Sequence, residues 1–224
     1  MDIEYLVKEK TGYMEWFYKT SVEPFNKIKK AIDEEKEPYV PTLGEETDEP
    51  PFLEEWIKAE NGAQIVGHAC ISMLAETLKL YLKLWKRRLE YERGESFDAT
   101  TNKDNWPVRV LKKLEELGWD VSSCPADTSI MEQIVLCRNC IQHPDSFSFG
   151  FLGIRYSEKD TDRFSRPLFS NEFELEMFGG DFKPGQFIPP SVSSTEGKIL
   201  EAISQVEDFF SWLESEYERI TRRQ

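Results

Sequence analysis

Histidine is scarce in this chain of 224 residues, which contains only His68 and His143. Cysteine is nearly as scarce, and four cysteines in a chain of this length do not make the disulfide framework of a small secreted domain. The N-terminus lacks the apolar core of a signal peptide, and no uninterrupted apolar run is long enough to cross a bilayer. These absences predict a soluble, cytoplasmic protein without membrane association.

Basic residues are in deficit, since 28 Lys and Arg face 42 Asp and Glu and the net charge is −14. Proteins that bind long nucleic acids through the phosphate backbone are usually basic, because released counterions drive the binding. The charge therefore argues against a broad nucleic-acid-binding face. It is compatible with a small basic pocket for one phosphate, because salt screens charges beyond roughly 8–10 Å.

Apolar residues at helical spacing dominate the sequence and predict a mainly α protein. The pattern indicates helices over residues 2 to about 35, 63–92, 105–118, 128–142 and 193–220. Gly12 and Pro24 leave open whether the first stretch is one helix or two. Ser193 and Glu196 have the spacing of a capping box, which predicts the start of the last helix.

The pattern changes between residues 146 and 191, where apolar residues alternate with Ser, Gly and Glu. The alternating residues are Phe147, Phe149 and Phe151, and then Phe173, Leu175 and Met177. A period of two predicts short strands, so we expect a small β-like insertion, such as a hairpin, on the helices. The chain then divides into a helical bundle over 1–145, with an acidic loop at about 36–55, and a Phe-rich insertion with a C-terminal helix over 146–224.

The six residues from Arg138 to His143, reading Arg-Asn-Cys-Ile-Gln-His, are the strongest functional signal. A guanidinium can hold a phosphate in a two-pronged grip, and an imidazole can move protons near neutral pH. On an ideal helix Arg138 and His143 lie about 140° apart, whereas Asn139 and His143 share a face. Pro144 should end the helix at His143 and free this histidine to turn toward the arginine. No convincing carboxylate cluster for magnesium accompanies these residues.

This Arg-x4-His pattern, with Asn after the Arg and at a helix end, resembles the signature of the HEPN superfamily (higher eukaryotes and prokaryotes nucleotide-binding domain). That family is a bundle of four or five helices, and many members are metal-independent endoribonucleases in toxin, antiviral defence or RNA-processing systems. The resemblance covers roughly residues 1–145. It implies that Arg138 stabilises the phosphate, that Asn139 orients the phosphate or the histidine, and that His143 acts as acid or base.

The resemblance also implies RNA as the substrate, no cofactor, and a homodimer that brings two motifs together. One Arg and one His make a sparse site, and a symmetric dimer would double it at the two-fold interface. An antitoxin or a defence-complex subunit is a further expected type of partner. Aromatic residues in the last helix, Phe209, Phe210 and Trp212, have the spacing of a helix seam, which indicates core or dimer surface rather than a base-stacking platform.

Two alternatives compete with a ribonuclease site. Cys137, Cys140 and His143 are spaced Cys-x2-Cys-x2-His, and with Cys124 they could bind zinc. Cysteines in an apolar helical frame are, however, typical of small buried hydrophobes. The other alternative is a non-catalytic HEPN-like scaffold subunit, in which Arg138 forms a structural pair and the acidic surface binds the partner.

A basic cluster marks the end of the predicted 63–92 helix, at Lys83, Lys86, Arg87, Arg88 and Arg93. Cations there complement the helix dipole, and their long stems cover apolar surface. The functional alternative is a basic approach to the catalytic pocket, with Arg87 and Arg88 as substrate-binding residues.

Overall fold

The computed structural model describes residues 2–41, 49–94, 106–143, 153–177, 179–182 and 188–222. Within these ranges the α-helices are α1 (Ile3–Asp33), α2 (Leu53–Arg93), α3 (Trp106–Glu116), α4 (Thr128–Gln142), α5 (Glu158–Arg163), α6 (Glu172–Met177) and α7 (Glu196–Thr221). A short 3-10 turn at Val121–Ser123 precedes α4. The prediction of a mainly α fold is confirmed for this part of the chain.

The two longest helices, α1 and α2, run antiparallel and in contact. The hydroxyl of Tyr81 on α2 donates to the carbonyl oxygen of Leu6 near the start of α1 (3.2 Å). At the opposite end, Lys29 of α1 forms an ion pair with Glu60 of α2 (2.6 Å). α1 is one helix that includes Pro24, so the alternative of two helices is excluded.

α4 lies at the centre of the fold, because every residue over 130–137 is buried. α2 and α7 both pack against α4, and α7 also packs against α1 and α2. Aromatic rings fill the space between α2 and α7: Phe210 meets Tyr81 edge to face with centroids 6.1 Å apart, and Trp85 meets Tyr217 at 5.4 Å. Burial of such large apolar side chains is the dominant favourable contribution to folding.

The aromatic residues of α7 belong to this core. Phe209, Phe210 and Trp212 are all buried. Their spacing predicted either core residues or a dimer surface, and the structure favours the core. Because these three rings are buried, they offer no exposed aromatic surface for a second copy of the chain to cover.

The expected hairpin is not formed in the described part of residues 146–191. Glu172–Met177, predicted as a strand, is the helix α6. Leu175 is buried, whereas Phe173 and Met177 are each 70% exposed. The alternation of apolar and acidic residues predicted a strand with one buried face, but only Leu175 of the three apolar residues reaches the core. The other expected strand, with Phe147, Phe149 and Phe151, lies outside the described residues.

The segment between α4 and α7 covers one side of α4 through polar contacts. The backbone N–H of Leu168 donates to the side-chain oxygen of Gln133 (2.7 Å), and Arg163 forms an ion pair with Glu132. Burial raises the pKa of Glu132, although the guanidinium of Arg163 opposes the shift. Because an unpaired buried carboxylate would be costly, this ion pair ties α5 to α4.

α2 contains a stretch that is long and apolar enough, by length and composition, to cross a membrane. Charged residues such as Glu76 and Lys79 interrupt α2, so this stretch is not an uninterrupted apolar run, and the expectation of a soluble protein stays a prediction. Core helices of soluble proteins meet the same criterion, and 44% of the stretch is buried inside the protein. In this fold α2 is the helix against which α1, α4 and α7 all pack.

The start of α7 differs from the prediction. The N-cap is Thr195, whose side chain makes no capping hydrogen bond, so the capping box of Ser193 and Glu196 is wrong. Instead, the backbone N–H and the hydroxyl of Ser194 both donate to the side-chain oxygen of Gln64 on α2 (2.9 and 3.0 Å). The entry to α7 is thus fixed by a tertiary contact rather than by a local one.

This contact makes Gly67 of α2 a sensitive position. A Cβ at Gly67 would overlap the Oγ of Ser194, whereas a Cβ at Gly12, also inside a helix, would meet nothing within 4 Å beyond the backbone of its own helix. We expect Gly67→Ala to lower the free energy of unfolding by about 1–3 kcal/mol through overpacking. Gly12→Ala should raise it by about 0.5–1 kcal/mol, because alanine is the better helix former. Urea unfolding measures both, and a stabilised Gly67→Ala variant would contradict the close approach of α2 to Ser194.

Candidate functional site

The candidate site lies where α4 leaves the core. Arg138 and Asn139 are partly exposed, and Gln142 and His143 are exposed. The helix ends where the sequence predicted, with His143 as the C-cap at φ −131° and ψ 60°. The backbone N–H of His143 donates to the carbonyl oxygen of Asn139 (2.8 Å), which closes the last turn.

Arg138 is held from two sides. Its Nη1 donates to Oδ1 of Asn139 (3.2 Å), and its Nη2 forms an ion pair with Oε1 of Glu76 on α2 (3.3 Å). Its Nε is buried and has no hydrogen-bond partner in the described ranges, so the Nη groups are the atoms that a ligand can reach. The side chain of Arg138 is 24% exposed and that of Glu76 56% exposed. Because a surface ion pair is worth about 0–1 kcal/mol, a phosphate can displace Glu76 at low cost.

The structure joins Arg138 to Asn139 but does not join either side chain to His143. Arg138 and Gln142, one turn apart, share the side of α4 that faces α2, whereas Asn139 and His143 share the next side. The imidazole of His143 forms no hydrogen bond or ion pair with any residue that the structure describes. Within one chain, therefore, Arg138 and His143 lie on separate faces of the end of α4.

A cleft of about 460 Å³ adjoins Arg138, between α1, α2 and the end of α4. It is lined by Lys10, Ser72, Met73, Glu76, Thr77, Leu80, Tyr81 and Gln142. The sequence interpretation missed this cleft and its carboxylate. Glu76 is the only acidic residue between Glu60 and Glu90, and a lone carboxylate in a long apolar helix was the signal that could have indicated it.

The two arginines predicted to bind substrate lie further along α2. Arg88 stacks on the rings of Trp85 and Tyr217, 4.8 and 4.1 Å from their centroids, and forms an ion pair with Glu214 (2.9 Å). It therefore fastens α2 to α7. Arg87 is exposed beyond the cleft, and substrate binding by this residue stays a prediction.

The cysteines behave as buried hydrophobes. Burial raises the pKa of Cys140 to about 12 and that of Cys137 well above its usual value, so both thiols stay protonated. The thiol of Cys140 points to the carboxylate of Asp160 (3.7 Å), on the side of α4 away from Arg138. In the described part of the chain, no three His, Cys, Asp or Glu side chains are placed to hold a metal ion. The zinc site with Cys124 and His143 is thus not assembled.

The second histidine, His68 on α2, is unsuited to proton transfer near neutral pH. Burial lowers its pKa to about 4, so it is neutral at pH 7. Its Nε2 is buried and meets no hydrogen-bond partner among the residues described. Of the two histidines, His68 is partly exposed and His143 is the more exposed.

No protein-family model, no curated protein and no solved structure matches the chain. The resemblance to the HEPN superfamily therefore stays a prediction, based on Arg138, Asn139 and His143.

Proposed function

We propose that this chain is a HEPN-like endoribonuclease that cleaves RNA without a metal ion, in the cytoplasm and in a toxin or antiviral defence setting. One observation carries the proposal: the partly exposed guanidinium of Arg138, positioned by Asn139 in the last turn of a buried helix. A cation so placed is preorganised for one phosphate, and the exposed imidazole of His143 follows five residues later, at the C-cap of the same helix.

The proposed reaction is an internal transesterification. The ribose 2′-oxygen attacks the adjacent phosphorus, and the bond from phosphorus to the 5′-oxygen breaks, leaving a 2′,3′-cyclic phosphate and a 5′-hydroxyl. The Nη groups of Arg138 donate to the non-bridging oxygens, where negative charge accumulates in the transition state. His143 takes the proton from the 2′-hydroxyl or gives one to the leaving oxygen. Asn139 positions the guanidinium through the hydrogen bond from Nη1.

A homodimer would complete this site. Because Arg138 and His143 are not in contact within one chain, a second copy across a two-fold axis can bring its histidine to the arginine of the first. The composite site would lie between the ends of the two copies of α4. Dimer formation is part of the proposal and supplies the second group that general acid–base catalysis requires.

The chemistry is tested with one labelled RNA and its singly modified analogue. Cleavage should persist in excess chelator and leave a 2′,3′-cyclic phosphate or its hydrolysis product, because no metal-bound water is used. An RNA with a single 2′-deoxy sugar at the scissile position should resist, because it lacks the attacking oxygen. Cleavage of DNA at a similar rate, or loss of all cleavage in chelator, would refute the mechanism.

The ion pair between Arg138 and Glu76 favours a second candidate, a non-catalytic HEPN-like subunit of a defence or toxin–antitoxin complex. In that protein the pair would fasten α4 to α2, and the acidic surface would bind a basic partner. The cleavage assay separates the two candidates, because such a subunit cuts no RNA.

A further inference from the structure

We propose that the cleft beside Arg138 binds a purine base of the RNA, in the nucleotide that carries the scissile phosphate. This inference rests on the proposed ribonuclease function and names the substrate that the site selects. The cleft volume of about 460 Å³ lies within the range of roughly 300–1,000 Å³ that small-molecule sites occupy.

The position of the cleft relative to Arg138 suits one nucleotide. Glu76, the ion-pair partner of Arg138, lines the cleft, so a phosphate that replaces Glu76 on the guanidinium lies at its edge. Gln142 also lines it and follows Arg138 by four residues, which is a rise of about 6 Å along α4. A phosphate on Arg138 and a base beside Gln142 are thus within the span of a single nucleotide.

The walls of the cleft suit the flat face of a base. Met73, Leu80 and the ring of Tyr81 supply apolar surface, and bases stack on such side chains with little dependence on sequence. The hydroxyl of Tyr81 is already engaged, since it donates to the carbonyl oxygen of Leu6 (3.2 Å). The ring is therefore held in place, and its contribution to the cleft is its apolar surface.

The polar groups of the cleft suit the edge of a purine. The side chains of Lys10, Ser72 and Gln142 form no hydrogen bond or ion pair with any other residue that the structure describes. A lysine ammonium can donate to N7 and O6 of guanine, and a glutamine amide pairs with N7 and N6 of adenine. Both contacts use N7, which pyrimidines lack, so the free donors of this cleft favour purines.

Titration of the whole protein with AMP, GMP, CMP and UMP tests the pocket without any cleavage. We expect the purine monophosphates to bind at least about tenfold more tightly than the pyrimidine ones, in calorimetry or by NMR shifts. Leu80→Asp should weaken purine binding by a similar factor, because it places a carboxylate in the apolar wall. Ile65→Asp is the matched control: Ile65 is an exposed aliphatic residue of the same helix outside the cleft, and its replacement should leave binding unchanged.

Two further variants test how the base is read. Lys10→Ala and Gln142→Ala should each reduce the ratio of purine to pyrimidine binding, because each removes a donor to the base edge. Both residues are exposed on the helix surface, so sedimentation and thermal midpoints should match those of the parent.

The pocket and the ribonuclease can fail separately. If the protein binds purine nucleotides, loses this binding in Leu80→Asp and cuts no RNA, the ribonuclease proposal is overturned and the purine pocket is supported. RNA cleavage that shows no base preference and ignores Leu80→Asp overturns the pocket alone. Equal binding of all four nucleotides, or no binding at millimolar concentration, also overturns it. The pocket is also overturned if Leu80→Asp converts a dimer to a monomer and changes nothing else, because the cleft is then a contact between subunits.

Discussion

Alanine at Arg138 or at His143 is expected to slow RNA cleavage by about 10²–10⁴-fold while the protein stays folded. Under the proposed mechanism, Arg138→Ala removes the charge that stabilises the phosphorane, and His143→Ala removes the proton-transfer group. Neither side chain is fully buried, so neither change opens a large cavity. The ion pair that Arg138→Ala removes is at the surface and is worth about 0–1 kcal/mol. The thermal midpoint should therefore fall by less than about 4 °C. Single-turnover cleavage and calorimetry measure the two quantities.

Arg222→Ala is the matched control for the loss of an arginine. Arg222 forms a surface ion pair with Glu218 (2.8 Å) at the end of α7, and both side chains are well exposed. This variant should keep the parent's cleavage rate and midpoint. An Arg138→Ala variant that still cuts RNA, or one that unfolds while His143→Ala remains active, would show that Arg138 is structural.

Mixing the two inactive variants tests the dimer. If each site takes its arginine from one chain and its histidine from the other, a heterodimer of Arg138→Ala and His143→Ala keeps one complete site, and cleavage partly returns. If each chain supplies its own pair, the mixture stays inactive and the shared site is refuted. A protein that cuts RNA as a strict monomer at micromolar concentration would refute the dimer itself.

The largest loss of stability is expected from Phe210→Ala, at about 3–5 kcal/mol of unfolding free energy. Phe210 is fully buried, and its ring contacts Tyr81 and Phe209 with centroids 6.1 and 5.5 Å apart. Its removal leaves a cavity between α2 and α7 and deletes two edge-to-face contacts. Urea unfolding gives the value directly.

Phe173→Ala makes the same chemical change on α6, where the ring is 70% exposed. The free energy of unfolding should change by less than about 0.5 kcal/mol. A loss at Phe173 comparable to that at Phe210 would mean that Phe173 is buried, as the predicted strand required, and would contradict α6.

The sequence predicts helices best where their ends carry local signals. α4 begins after Asp127, whose carboxylate accepts from the N–H of Ser129 (2.9 Å), and it ends just before Pro144, so both limits were predictable. α2 begins ten residues before its predicted start at residue 63. Leu53, Trp56 and Ile57 do have helical spacing, but the acidic loop predicted at about 36–55 overlapped this start, and residues 53–55 of that loop are helical. Tertiary contacts with α1 hold these first turns, such as the hydrogen bond from Trp56 to Asp33 (3.1 Å).

The candidate site was predictable only in its local part. Arg138, Asn139 and His143 fall within six residues, so a motif could indicate them. Lys10 and Glu76 lie on two other helices, and only the packing of α1, α2 and α4 brings them to the end of α4. The spacing of residues along the chain does not indicate how these three helices pack, so the cleft could not be predicted from the sequence.

α4 is buried on every side over residues 130–137, whereas in its last turn Cys140 still faces the core and Arg138, Asn139 and Gln142 are at least partly exposed. Substitution at buried positions, Cys140 included, is restricted by volume, whereas the partly exposed positions Arg138, Asn139 and Gln142 are restricted less. If the proposed chemistry holds, a lineage carrying this chain can lose or retune it by a single replacement at one of these exposed positions and keep the bundle intact. An enzyme and an inactive binding subunit would then be separated by very few evolutionary steps.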